Sequence, residues 1–290
     1  MFAIIGATGK AGRTTAETLR KAGQPVRAIV RDAAKAEALA ALGCEIAVAD
    51  AHDREALVRA FAGATAVQVI CPVAPQADDA ASEMRGMIEA IGEALESARP
   101  ERVLAISDYG AELSGPTGIT GLFHDLETRL AHVSRPTLFL RSAEHMQNWT
   151  RALGAAARTG KLPSLHHPLA KLFPMVSAFD VGALAAELLL TPSEASPRVV
   201  HVEGPRRYTP IDVAAAVAEV DGRDVQAFKL PRSEWSAMLA KGGVSESYAR
   251  LVVELYEVHN AGRIDAEAGG EVRRGPTEFV EAMRQARGQS

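Results

Sequence analysis

The chain has 290 residues, 47% hydrophobic and 23% charged, the make-up of a globular protein large enough for one large or two modest domains. A net charge of −4 leaves no general electrostatic footprint for nucleic acid or an anionic membrane, and no apolar run approaches the ~20 residues of a membrane span. A glycine turn six residues from the start leaves no room for a signal peptide, and Cys44 and Cys71 are far apart without a metal-ligand pattern, so a cytoplasmic chain with reduced thiols and no metal is expected.

Strands and helices alternate through the first half, which predicts right-handed βαβ crossovers and a parallel sheet. The expected strands are Phe2 to Ile5, Val26 to Val30, Glu45 to Ala49, Ala66 to Ile70, Arg102 to Ile106 and Thr137 to Leu140. Between them the apolar spacing predicts helices over Arg13 to Ala22, Ala33 to Ala41, Arg54 to Phe61, Ala80 to Ala98 and Phe123 to Val133. Trp149 to Thr159 reads as a helix, and Gly160 to Pro174, with three prolines and little periodicity, as a loop or flap over a site. Asp180 to Leu190 looks helical and Arg198 to Val202 is a strand that returns to the sheet. Pro210 to Asp221, Ser233 to Lys241 and Glu246 to Asn260 are helical, with Thr277 capping a last helix. The fold class is therefore α/β: a Rossmann-type parallel sheet with helices on both faces over residues 1–150, rejoined by 175–204, plus a smaller, mostly helical C-terminal lobe in 151–290 that takes the substrate.

The first strand runs straight into Gly6-Ala-Thr-Gly9-Lys-Ala-Gly12. A helix opening there points unpaired N–H groups and its positive end at one spot, where a pyrophosphate fits. Gly6 allows the tight turn, Gly9 the approach of phosphates and Gly12 the packing of helix on strand, while Thr8, Lys10 and Ala11 complete the cradle. Selectivity rests on the end of the second strand, where an acidic residue usually bonds the ribose 2′-hydroxyl roughly 20 residues past the turn. Here the strand ends on Arg31, whose guanidinium suits a 2′-phosphate with Lys35 in support, so NADP, with NADPH preferred over NADH, is the expected cofactor. The competing reading leaves Arg31 in solvent, with Asp32 on the ribose.

Ligands in open α/β sheets lie beyond the carboxyl ends of the strands. Asp50 there is read as a contact to the adenine amino group or as a cap of the helix near Asp53. Cys71 and Pro72 are read as the ribose and nicotinamide wall, with small-residue packing the alternative for Cys71. Ser107 and Tyr109 close the fifth strand and Arg141 the sixth. His124, on the next helix, titrates near neutrality and is the candidate proton donor or nicotinamide contact, against a solvent-facing histidine paired with Asp125 or Glu127. His145, His166 and His167 show no metal-ligand spacing.

Taken together, Gly6 to Gly12, Ile29-Val-Arg31-Asp, Ala49-Asp50, Ala105-Ile-Ser107 and Leu140-Arg141…Met146-Gln-Asn148 resemble the NmrA-like family of atypical short-chain dehydrogenase/reductases, including its NAD(P)H:quinone oxidoreductase-like members. The likeness continues through Met175 to Gly182, Glu203-Gly-Pro205 and Tyr208-Thr209, so it spans nearly the whole chain. It implies an NADP-binding fold with a helical substrate lobe, and it implies nicotinamide contact for His124 with Glu127. Two departures stand out. Tyr109 is followed four residues on by Leu113 rather than Lys, which removes the cation that would make the phenol a base, and Ser142 replaces a proline after Leu140-Arg141.

The expected function is an NADPH-dependent reductase passing hydride to a flat, electron-poor acceptor such as a quinone. His124 is its proton donor or nicotinamide anchor and Tyr109 a weaker candidate. Met146, Trp149, Phe173 and Phe179 are read as apolar walls for the substrate or as ordinary core. The alternative is a redox sensor that binds the dinucleotide without turnover. The expected partner is a small aromatic or quinone-like molecule, with no nucleic acid and no membrane; a homodimer is compatible with the chain, its oligomeric state left open.

Overall fold

The computed structural model describes residues 1–133, 135–191, 193 and 195–288. Phe2–Ile5 (β1), buried at every position, runs through the glycine turn into Lys10–Lys21 (α1). Val26–Val30 (β2), a 3-10 turn at Ala33–Lys35, Glu37–Ala41 (α2) and Glu45–Val48 (β3) follow. Arg54–Phe61 (α3) leads to Ala66–Val69 (β4), Ala80–Ala98 (α4) to Arg102–Asp108 (β5), and Ile119–Ala131 (α5) to Thr137–Ser142 (β6). Asp53 and Asp79 start α3 and α4 by accepting from the N–H groups of Ala56 and Ser82 at 2.9 and 3.0 Å.

The remainder comprises Glu144–His145 (β7), Thr150–Thr159 (α6), Lys161–Ser164 (β8), Met175–Val176 (β9), Ala178–Leu190 (α7) and Arg198–Glu203 (β10). It continues with Pro210–Asp221 (α8), Gln226–Lys229 (β11), Trp235–Lys241 (α9), Glu246–Asn260 (α10), Glu271–Arg274 (β12) and Phe279–Gly288 (α11). Thr209 and Asp212 form a reciprocal capping box at the start of α8, with Pro210 in the first turn.

Among the described residues, eight strands form one parallel sheet in the order β12-β10-β6-β5-β4-β1-β2-β3. Strand order reverses between β1 and β4, so the crevice for a ligand opens at their carboxyl ends. One face is buried by α3, α4 and α5 through residues such as Phe61, Ile91 and Leu126. The other is buried by α1, α2 and α7 through Leu19, Leu39 and Val181. A separate core gathers Met146, Trp149, Leu153, Phe173, Tyr208, Val213 and Phe279 beyond the sheet.

Several expected elements are corrected. The helix after the turn begins at Lys10, not Arg13, because Gly9 takes the extended conformation of an N-cap and the last glycine lies inside the helix. The stretch Ala33 to Ala41 is two pieces, since Asp32 accepts from the N–H of Ala34 and closes a 3-10 turn before α2 begins. α5 begins at Ile119, four residues before the expected start, on Gly118 at φ +65°. Gly160 to Pro174 is not a free flap: β8 pairs in parallel with β11, His166 is fully buried, and Phe173 bridges to Tyr208. Thr277 does not cap the last helix with its hydroxyl; its N–H and hydroxyl both donate to Asp180, at 2.9 and 2.7 Å. β12 was not expected at all. Its sequence, Glu-Val-Arg-Arg, is mostly exposed, and Arg198 fastens it to β10 through a bidentate bond to Glu271.

Candidate functional site

The glycine turn supplies the first part of the site. Gly6 sits at φ +73°, and its carbonyl accepts from the N–H of Gly9 at 3.0 Å. A Cβ on Gly12 would lie 2.3 Å from the Gly6 oxygen and 2.9 Å from its carbonyl carbon, so only glycine lets α1 press on the turn. From the neighbouring helix, a Cβ on Gly182 would lie 2.3 Å from the carbonyl oxygen of Ala11, and Thr15 donates to the carbonyl of Gly182 at 3.0 Å. Gly182 is a positioning residue missed by sequence reasoning; its signal was the glycine within an otherwise good helix.

The N-terminus of α1 has no side-chain cap and no acidic residue in its first turn, while Thr8, Gly9 and Lys10 are exposed beside it. Its first N–H groups are therefore open to an anion, aided by the helix dipole and by Lys10. These residues fit a pyrophosphate, with Ala11 and Gly12 buried beneath it.

Arg31 and Lys35 are exposed at the end of β2, and neither makes a side-chain hydrogen bond among the described residues. Asp32 is engaged as the cap described above. Asp50 accepts from the N–H and Nδ1 of His52 at 2.9 and 3.1 Å. The His52 backbone bond holds the Asp50 carboxyl below its ordinary range, with a smaller contribution from the Arg31 charge. The cap of α3 is Asp53, so capping that helix is not the role of Asp50.

Cys71 lies buried just past β4, and burial pushes its thiol up to about 12, leaving it protonated and unreactive at neutral pH. Pro72 beside it is partly exposed. At β5, Ser107 is buried and donates to Glu127 at 2.6 Å. Arg141 grips Glu127 with two bonds of 2.9 and 2.7 Å and also reaches Glu112 at 2.8 Å and Glu267 at 2.6 Å. Ser107 and Glu127 are thus absorbed into a buried ion network that locks α5 to β5 and β6.

Tyr109 is not brought to the cleft. It is 1% exposed, packs edge-on against His201 at 5.2 Å, and its hydroxyl has no hydrogen-bond partner among the described residues. Burial raises its phenol further from neutrality. Met146, Trp149 and Phe173 are core residues, whereas Phe179 is partly exposed.

His124 is partly buried on α5, and its Nδ1 lies 2.7 Å from the carbonyl oxygen of Ala111. That bond makes Nδ1 the donor and leaves Nε2 without a partner among the described residues. The ring lines a groove of ≈290 Å³ bounded by Leu113 to Gly118, Arg85, Asp125 and, from α10, Leu251 and Glu254.

Sequence reasoning also missed a cluster near the carboxyl ends of β5 and β6. Asp108, the last residue of β5, takes a bond from the Thr120 hydroxyl at 2.5 Å. Glu144 takes one from Nε2 of fully buried His166 at 2.7 Å and one from the Tyr256 hydroxyl at 2.9 Å. His145 is held near 4 by burial, against the pull of Glu144 and with help from the charge of Lys10 on the glycine turn.

An NAD(P)H-binding family matches residues 6–135. An NAD(P)H azoreductase of Xenophilus azovorans is 26% identical over 257 residues, covering 88% of this chain and 86% of that protein. Quinone oxidoreductase 2 of Escherichia coli (strain K12) is 27% identical over 258 residues, with the same coverage. Among solved structures, Citrobacter sp. triphenylmethane reductase complexed with NADP(H) has a TM-score of 0.81 at 23% identity, covering 99% of this chain and 100% of that one. A mutant NmrA has a TM-score of 0.75 at 15% identity, covering 99% and 97%. Fold, glycine turn and family match define an NAD(P)H-binding domain. The whole chain shares its fold with the NmrA and reductase structures, and its cofactor is NAD(P)H. No helix among the described residues is long and apolar enough to cross a membrane.

Proposed function

We propose that this chain is an NADPH-dependent reductase of flat, electron-poor aromatic acceptors, quinones first among them. The observation that carries the reading is the open, acid-free N-terminus of α1 seated on Gly6 and Gly12 at the strand-order reversal. Quinone and azo acceptors are acted on by the similar proteins, as their names state, and all are planar and conjugated. The bound cofactor supplies a hydride.

The chain's own groups bind and orient. Gly6, Thr8, Gly9, Lys10, Ala11 and Gly12 take the pyrophosphate. Arg31 and Lys35 take the 2′-phosphate, and Asp50 the adenine amino group. Pro72 and the buried Cys71 form an inert wall. His124, with Nδ1 engaged on Ala111, offers Nε2 to the nicotinamide or to the acceptor. Residues 1–150, with 175–204 returning to the sheet, act as the nucleotide domain, and the remainder as the substrate lobe. The free thiols of Cys44 and Cys71 accord with a cytoplasmic setting.

The test is NADPH oxidation, followed through the nicotinamide absorbance, with benzoquinones, naphthoquinones and an azo dye. Rapid oxidation with a quinone supports the reading, and its loss in His124→Ala supports the assigned contact. Tight NADPH binding with no oxidation of any acceptor overturns it in favour of a dinucleotide sensor.

A further inference from the structure

We propose that Asp108 is the group that delivers the proton to the reduced acceptor, oriented by the Thr120 hydroxyl and facing the ion-paired Glu144. The inference rests on the reductase reading above and leaves His124 a contact rather than the acid.

Position comes first. Asp108 ends β5 and pairs across the sheet with Ser142, which ends β6, and Glu144 lies two residues further on. Both carboxyls therefore occupy the edge of the sheet at which α/β folds hold their ligands. The Thr120 hydroxyl, itself fully buried on the first turn of α5, fixes Oδ2 of Asp108, and no other side chain among the described residues hydrogen-bonds that carboxyl.

The two carboxyls have opposite surroundings. Asp108 is faced by Thr120 and Glu127 from α5, by Glu144 from β7 and by Tyr248 from α10. Burial pushes its carboxyl up to about 7; Thr120 opposes this, and the charges of Glu144 and Glu127 add to it. Burial works on Glu144 in the same direction, but the His166 charge and hydrogen bond, helped by Tyr256, outweigh it and hold that carboxyl below its usual range. Two nearby carboxyls driven apart in this way divide into an acid and a fixed charge.

The chemistry balances. An acceptor that has gained a hydride carries its two electrons and a negative oxygen. The O–H bond of Asp108 breaks as a new O–H bond forms on that oxygen, giving the neutral reduced product and a carboxylate. Water then returns a proton to Asp108. Glu144 receives no proton in the cycle; its charge adds to burial in keeping Asp108 protonated until the acceptor needs it.

The experiment uses the full chain with NADPH and the best quinone from the panel above, measured from pH 5.5 to 9. The wild type is expected to lose kcat above about pH 7. Asp108→Asn should lower kcat by about 100-fold, leave KM little changed and abolish both the alkaline limb and the solvent deuterium isotope effect. Glu144→Gln should move the limb to lower pH, which a purely structural Asp108 would not do. Infrared difference titration reads the same group without turnover: a protonated-carboxyl band that disappears near pH 7 and is missing in Asp108→Asn. Turnover in the wild type with an unchanged limb in Asp108→Asn would overturn the assignment and leave the reductase reading standing. Should Asp108→Asn fail to fold, an unmoved limb in Glu144→Gln would overturn it equally. No NADPH oxidation by the wild type would overturn both.

Discussion

Gly12→Ala is the sharpest perturbation of the nucleotide cradle. The new Cβ would meet the Gly6 carbonyl oxygen at 2.3 Å and the Ala7 Cα at 3.0 Å. Those atoms are backbone, so relief requires α1 to lift from the turn by about 1 Å. Overpacking of this kind costs about 1–3 kcal/mol, a fall in Tm of roughly 2–5 °C for a chain of this size. The lift also draws the open N–H groups away from the pyrophosphate. Losing one charge-assisted bond, about 1.5–3 kcal/mol, weakens NADPH binding roughly 10- to 100-fold. Gly9→Ala is the control, because its Cβ would find the Gly6 oxygen at 3.4 Å, an ordinary contact, and its φ of −75° suits any residue. Gly9→Ala should therefore keep the wild-type Tm and lose NADPH affinity, whereas Gly12→Ala loses both. Differential scanning fluorimetry and a fluorescence titration with NADPH measure the two quantities on the same samples. A Gly12→Ala protein with wild-type Tm and affinity would refute the packing argument.

Arg31→Ala should weaken NADPH roughly 10- to 100-fold and NADH by less than about twofold, since only the former carries the 2′-phosphate; equal losses in parallel titrations would place Arg31 outside the phosphate site. Burial pushes the imidazoles of His145, on the partly exposed β7, and of buried His259 down to about 4 and about 3 from the ordinary 6.5, so both are neutral in the folded chain. Between about pH 6.5 and 4 the unfolded chain binds protons that the folded one refuses, so Tm should fall as pH drops through that window. Replacing both with Gln should flatten the fall, and an unchanged slope in thermal melts would contradict it. Both cysteine thiols are raised by burial, Cys71 to about 12. Ellman's reagent at pH 7.5 should find neither in the native protein and both in denaturant; a fast native reaction at Cys71 would show that its pocket opens.

The nucleotide half was legible because its signals are local. β1, β2, α3 and α4 have the bounds their apolar spacing predicts, since a short buried strand, an Asp cap and a glycine turn each depend on residues within a few positions. The same holds for α8, whose Thr209-Pro210-Ile-Asp212 start writes its own cap. β8, β11 and β12 carry no such signal: all three contain prolines or charges in place of alternating apolar residues, and they become strands only through their partners.

The amino-acid sequence by itself determined the parallel sheet, the phosphate turn and the place of Arg31 at the end of β2. Tertiary structure alone decided what becomes of the polar residues at the sheet's edge. Tyr109 turns into the core against His201, Glu127 is taken by Arg141 and Ser107, and Asp108 meets Glu144 from a different strand. Periodicity reports which face of an element is buried, because burial follows from neighbours on that element. The charge state of a carboxyl depends instead on groups 12 to 140 residues away in the chain, such as Thr120, Glu144 and Tyr248 around Asp108, and only the folded chain brings these together.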